Sequence, residues 1–475
     1  SDLDNKEASQ AYNADPSNHF GKLAFEQVVL DFKCDVILSI KDVWMDRFMV
    51  ESPLRPYYKY IYMPTVDGVP QDPEWLSTYK DADALLTYTD WGKKVLEEYG
   101  LNVFGTAAAS VEPCFQPLPK DQIKKNFGFG ESKILGFVSR NQARKQFPNL
   151  LHAFRDFLRK AGRKDVFLYL HTSNHDMGWD LAELIKESGV SSKIILTYIC
   201  RKCGFPFPSL YSDENIKCKK CGSNAAVASN VQNGVPSEIL AQIYNCMDLY
   251  VQWASSEGSG FGAVEAAACG VPVIETDYSA MSDISRKLNS EQIEPIALYK
   301  EITTKRLMAV PDQNVLTEKL IEFFNLPTDI QRLMGCQARE GFQANYSSWG
   351  KAAKVWENCI DSVGYGSWDS PPRVLPIAQP QQYFGQMSHS EFTKFCITHV
   401  LGQPEKLNTY FHLKAIRDLN YGFTTSLPGT FMDECSQLFA KPQRQNFGKQ
   451  EFYNLCANLA NIRNRWENIR CNTKR

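Results

Sequence analysis

Residues 248–277 constrain this chain more than any other stretch. An apolar run at 249–253 has the length and composition of a buried strand. A glycine-rich turn at 257–262 follows, then an alanine-rich helix at 263–269 that Gly270 stops. A second apolar run, 271–274, reads as the next strand. This is a β-turn-α-β unit, the building block of a parallel sheet. Gly258, Gly260 and Gly262 leave main-chain N–H groups uncovered where the helix begins. With the positive end of the helix dipole, they suit an anion such as a diphosphate. Glu257 precedes the turn and Glu265 lies inside the helix, with seven residues between them. Beside a phosphate site, two such carboxylates suit hydroxyl groups on separate parts of one ligand. A parallel α/β unit with a solvated Glu on its helix is the plainer reading of the same residues.

The string beginning at Glu257, Glu-Gly-Ser-Gly-Phe-Gly-Ala-Val-Glu-Ala-Ala-Ala-Cys-Gly-Val-Pro-Val-Ile, closely resembles the Glu-x7-Glu signature of family-4 retaining glycosyltransferases of the GT-B fold. The resemblance implies an α/β protein with two Rossmann-like domains facing a cleft. It also implies transfer of a sugar from a UDP- or GDP-sugar to a hydroxyl acceptor, with retention of configuration and no catalytic metal. In such enzymes Glu257 would face the donor sugar and serve catalysis, and Glu265 would hold the nucleotide ribose. The amides around Gly258, Gly260, Phe261 and Gly262 would meet the diphosphate. Arg140 and Lys145, after an apolar run at 133–139, match an Arg and a Lys that clamp the diphosphate, and Arg144 is able to replace either. Thr276 ends a strand where relatives set backbone N–H groups against phosphate.

A chain of 475 residues accommodates two to three domains. Its apolar fraction of 43% and net charge of −2 fit a soluble globular protein and argue against a surface that binds polyanions as a whole. Strand and helix patterns alternate from residue 24, with strands at 34–40, 60–63, 84–88, 133–139, 166–171 and 193–199. The resemblance covers roughly 24–363. It implies an acceptor-side domain over 1–120 that lacks the usual first βαβ unit, and a nucleotide-sugar domain over 121–363. Many relatives place a His at the end of an N-domain strand; the matching loop here, Thr-Val-Asp-Gly-Val-Pro, offers Asp67 as a catalytic candidate. Turn chemistry before Gly68 explains Asp67 equally well. His171 and His175 near the cleft edge are taken as structural.

One interruption breaks the pattern. Cys200, Cys203, Cys218 and Cys221 form two Cys-x2-Cys-Gly knuckles, the arrangement of four thiolates around a structural Zn²⁺. They define a zinc-ribbon insert over 200–222, too short for its own core and expected to project beside the nucleotide cleft. Its Arg201, Lys202, Lys217, Lys219 and Lys220, with Phe205, Phe207 and Tyr211, suggest a basic and aromatic surface for nucleic acid; a charged face on a stabilising clip is the alternative. The other cysteines, of fourteen in all, look like reduced core residues. With no long apolar stretch and a polar start, neither a membrane span nor a signal peptide is expected, and the cytoplasm fits. A linker over 364–388 leads to a helical module over 389–475 with a basic end. The ribbon and this end tilt the acceptor toward a polymer such as hydroxymethylated DNA. A glycan or small-molecule acceptor is the alternative, and a non-catalytic nucleic-acid-binding protein on the same scaffold is the rival of another class.

Overall fold

The computed structural model describes residues 19–22, 25–52, 54–174 and 176–368. The linker from 369 onward, the helical module and His175 lie outside the described residues. The chain divides into two compact units: 1–62 with 80–83 and 362–475, and 63–79 with 84–361.

In the first unit β1 (Val36–Ser39) pairs in parallel with β2 (Lys59–Tyr62), with Val36 opposite Lys59 and Ser39 opposite Tyr62. The helices Phe25–Phe32 and Val43–Glu51 flank β1 in sequence. Trp368 brings the chain back beside the start of β1: its Nε1 donates to the Cys34 carbonyl at 3.2 Å and its ring packs on Tyr57.

The second unit opens with β3 (Ala84–Thr87) and β4 (Val103–Thr106), a parallel pair. The Asp90–Glu98 helix joins them, with Thr89 accepting at its N-terminus from the Gly92 N–H. The main sheet follows: β5 (Lys133–Val138), β6 (Val166–His171), β7 (Ile194–Cys200), β8 (Pro206–Leu210), β9 (Ala226–Ala228), β10 (Leu249–Gln252), β11 (Val273–Thr276) and β12 (Glu291–Ile293). Its order is β12-β11-β10-β5-β6-β7-β8, with β9 also on β7. β10 and β11 are buried at every position, which is why their first residues, Leu249–Val251 and Val273–Ile274, are apolar in succession rather than alternating. The Phe147–Ala161 helix covers one face with Phe147, Leu150, Leu151, Phe154 and Phe157, all buried. An antiparallel hairpin, β13 (Pro295–Lys300) and β14 (Leu307–Pro311), forms a separate two-stranded sheet.

The strand order fixes where a ligand belongs. From β5 the chain steps outward through β6 and β7, then returns to β10 on the other side of β5 and steps away through β11 and β12. The reversal lies between β5 and β10, and open α/β sheets bind ligands outside the carboxyl ends of strands at such a point.

The cysteine insert departs from expectation. It does not stand apart as a projecting ribbon but extends the sheet. β7 runs past the end of its pairing with β6, and the overhang is held by β8 and β9, both antiparallel to it. Cys200, Phe207, Cys218 and Ala226 belong to the domain core, so the insert borrows the core it is too short to build. Of the expected basic and aromatic face, Arg201, Lys202, Lys217, Lys219 and Lys220 are exposed, while the aromatic part recedes. Phe207 is buried, Phe205 packs against the core and Tyr211 hydrogen-bonds Asp213. Lys219 spends its ammonium on the carbonyls of Phe127 and Pro208, at 3.0 and 2.9 Å. Stacking a base on Phe207 would require pulling it from the core. Among the described residues no helix is long and apolar enough to cross a membrane.

Candidate functional site

The turn after β10 carries Glu257 and the turn after β5 carries Arg144 and Lys145, so both sides of the switch point contribute. A short 3-10 turn, Ala143–Lys145, followed by Gln146 in the left-handed region (φ 44°), turns both basic side chains toward Glu257. Lys145 Nζ bonds Glu257 Oε1, and Arg144 Nη1 lies 2.9 Å from Oε2. Gln252 Nε2 donates to Oε1 at 3.0 Å, and Tyr250 Oη donates to Gln252 Oε1 at 2.8 Å, a chain running beneath the turn. Burial alone would raise the Glu257 carboxyl, but Lys145 and Arg144 outweigh it and hold the pKa at about 2. Burial pushes the Lys145 ammonium down, and Glu257 opposes it. The cluster is thus an ionised carboxylate between two cations.

The main chain of Glu257 is bracketed by Ser279. Its Oγ accepts from the Glu257 N–H at 2.9 Å and donates to the Glu257 carbonyl at 3.1 Å. Ser279 adopts φ 53° and ψ −141°, a sparsely populated conformation for a residue with a Cβ. Such conformations persist where the surroundings over-determine them. Gln252 carried no sequence signal; Ser279 ends the stretch from Thr276 that the resemblance sets against phosphate, but nothing local announces its backbone.

The Phe261–Ala268 helix begins at the turn. Among the described residues, the N–H groups of Gly258, Ser259, Gly260 and Phe261 have no hydrogen-bond partner. Ser259 and Gly262 are half-buried and Phe261 is exposed, whereas Gly258 and Gly260 are buried. The glycines are required by close approach: a Cβ on Gly258 would lie 2.4 Å from Thr65 Cγ2, and one on Gly262 2.1 Å from Tyr250 Oη. Gly262→Ala is therefore expected to break the Tyr250–Gln252–Glu257 chain and weaken nucleoside diphosphate binding at least tenfold, read by calorimetric titration.

Glu265 faces Tyr244, whose Oη donates to its Oε2 at 2.7 Å. Burial raises the Glu265 carboxyl to about 7, and the charge of Glu112 adds to the rise. Thr276 is fully buried and its Oγ1 has no hydrogen-bond partner among the described residues; the same holds for Ser256 Oγ. Arg140 is not drawn into the Glu257 cluster. It forms a two-point ion pair with Asp176, at 3.0 and 2.9 Å, and its side chain is 54% exposed. Of the two arginines in the turn, Arg144 is the one beside Glu257. Asp67 lies near Gly258, and its carboxylate is paired with Arg306.

The four knuckle cysteines converge. Their sulfurs all lie within 4.8 Å of one another, with Cys200–Cys221 and Cys203–Cys218 both at 3.7 Å. Four sulfurs at about 2.3 Å from one Zn²⁺ in a tetrahedron are about 3.8 Å apart. A disulfide needs about 2.05 Å, and the cysteines are free. Gly204 (φ 68°) and Gly222 (φ 71°) turn each knuckle back, their N–H groups bonding the carbonyls of Cys200 and Cys218. The donor set fits a structural zinc ion.

No protein-family model matches the sequence, and no curated protein gives a significant match. Solved structures do match. Sucrose-phosphate synthase from Thermosynechococcus elongatus superposes with a TM-score of 0.54 at 15% identity, covering 75% of this chain and 82% of that one. Anabaena HepE, in complex with UDP and glucose, gives 0.51 at 13% identity, covering 72% and 83%. At these identities the likeness shows the fold, and the fold is GT-B.

Proposed function

We propose that this protein is a nucleotide-sugar-dependent glycosyltransferase that acts with retention. The observation that carries the reading is the Glu257–Lys145–Arg144 cluster at the sheet's switch point, beside a helix N-terminus with unused amides. An amide-lined helix start accepts a diphosphate, and the two cations neutralise the charge that grows on it as it leaves. Donor binding then exchanges partners: Lys145 and Arg144, with Arg140 at the rim, turn to phosphate, and Glu257 accepts from sugar hydroxyls. Thr276 adds a donor group on the phosphate side. Glu257 is held ionised by two cations, which suits a hydrogen-bond acceptor better than a nucleophile. Retention follows from attack on the face the leaving group departs from. The C1–O bond to the diphosphate breaks, the acceptor oxygen bonds C1, and the hydroxyl proton passes to the departing phosphate oxygen.

Glu265 would hold the ribose, and its pKa near 7 gives a test. Ribose hydroxyls donate to the carboxylate and favour the ionised form. At pH 6 roughly a tenth of the free protein is ionised there, so donor affinity is expected to be about tenfold tighter at pH 8 than at pH 6. Glu265→Gln should flatten that profile. The fold responds with the opposite sign. The unfolded chain gives up this proton near 4.5 and the folded chain near 7, so this group's contribution to stability falls as pH rises between those values.

Zinc in the Cys200, Cys203, Cys218 and Cys221 site serves structure alone, separated from β10 by β5 and β6, with Cys200 at the end of β7. For the acceptor, the burial of Phe207 and the packing of Phe205 against the core reduce the stacking surface that favoured hydroxymethylated DNA, leaving the basic side chains of the insert and the basic C-terminal end as its support. A screen of UDP- and GDP-sugars against modified DNA and simple glycans, with mass detection, decides among these. Release of nucleoside diphosphate from one donor is expected. If no donor is bound or turned over, the non-catalytic scaffold reading takes over.

A further inference from the structure

The β13–β14 hairpin makes contacts that the donor-site reading does not use. One edge of β14 pairs with β13; the other reaches two separate segments. Leu307 N–H donates to the Val69 carbonyl at 2.7 Å, and Ala309 N–H donates to the Ser255 carbonyl at 2.9 Å. Ser255 lies two residues before Glu257, and Val69 two residues after Asp67. Tyr278, next to the Ser279 that brackets Glu257, donates from its Oη to the Leu307 carbonyl at 2.7 Å. Arg306, the residue before β14, bonds Asp67 and stacks over the Trp75 ring at 5.0 Å from its centre. Both charged side chains are largely buried, 11% and 16% exposed. The loop so held carries Thr65, whose methyl group presses on Gly258 at the head of the donor turn.

We propose that Arg306 is a positioning residue: by holding Asp67 it seats the 64–70 loop on Gly258 and fixes the donor turn. This rests on the donor-site reading only for its effect on catalysis, since the mechanical link stands on the contacts alone. Asp67 acts through this tie rather than on the sugar. Losing the guanidinium leaves a buried carboxylate without its cation, so the loop detaches from the hairpin and Thr65 lifts from Gly258. The turn then samples conformations in which its amides no longer converge, and donor binding weakens before chemistry does.

The test uses the full chain and two readouts. In Arg306→Gln, hydrogen exchange should speed at least tenfold in peptides covering 255–262 and 305–311, which carry the bonded amides of Ser255, Glu257, Leu307 and Ala309, while peptides from β5 and β6 stay protected. Arg306→Lys should restore part of that protection. With an accepted donor, KM should rise about tenfold with kcat within about threefold. Asp67→Asn keeps the side chain's shape and gives the same reading if Arg306→Gln fails to fold. Exchange at 255–262 unchanged in Asp67→Asn, or kcat falling with KM unmoved, overturns the proposal. If no nucleotide sugar is turned over by the native protein yet the exchange coupling is present, the donor reading fails and the clamp stands.

Discussion

Glu257→Gln is expected to lower sugar transfer by about two to three orders of magnitude, the usual cost of removing one group preorganised for the transition state. The amide keeps the volume and still accepts from Lys145, but it no longer supplies the charge that grips the sugar hydroxyls and balances two cations. The obvious alternative, Glu257→Ala, reads more than one thing at once. With Lys145 and Glu257 only 9% and 8% exposed, removing the carboxylate strands a buried ammonium. Breaking one half of a buried pair costs about 3–5 kcal/mol. Both variants should therefore lower Tm as well as rate, Glu257→Gln by less because its amide keeps the volume and an acceptor for Lys145. Steady-state kinetics beside thermal unfolding separates the two, and a Glu257→Gln protein with unchanged turnover would sink the role assigned to this carboxylate.

The second large effect is metal removal. A structural zinc bound by four thiolates supplies about 10–16 kcal/mol of apparent binding energy in small domains. Here two of the four cysteines, Cys200 and Cys218, are also core residues of the larger domain. Chelation should then destabilise more than the insert: losing even about 5 kcal/mol lowers the melting temperature of a domain this size by roughly 10–20 °C. Cys218→Ser should mimic chelation. Metal analysis should return about one zinc per chain, and a metal-free protein melting at the native temperature would refute the site.

What the sequence made legible was local. The turn from Glu257 to Gly262 and its flanking strands are contiguous, so their chemistry and periodicity could be seen together. The helix expected at 263–269 starts earlier, at Phe261, because Gly260 (φ 53°) turns the chain into it. What stayed hidden depended on distant partners. Choosing Arg144 over Arg140 at Glu257 turns on the left-handed Gln146 and on Asp176 drawing Arg140 away. Asp67 read as a turn residue or a catalyst because Arg306, its cation, lies far along the chain in a hairpin with no clear alternation. The insert read as a separate ribbon because its two cysteine knuckles and short length announce a metal clip, whereas the pairing of 206–210 with β7, despite two prolines, is set by the sheet.

Those prolines carry a consequence for solubility. β8 is the outermost strand on its side of the sheet, and its odd-numbered neighbours Phe205 and Tyr211 direct main-chain groups inward to Cys200 and Ile194. Pro206 and Pro208 therefore fall on the outward row, where a main-chain donor would otherwise invite a foreign strand. Lys219 occupies the outward carbonyl of Pro208. Two of the three outward positions thus lack a donor and one acceptor is occupied, so this rim resists recruiting a neighbouring molecule into a continuous, self-propagating ladder.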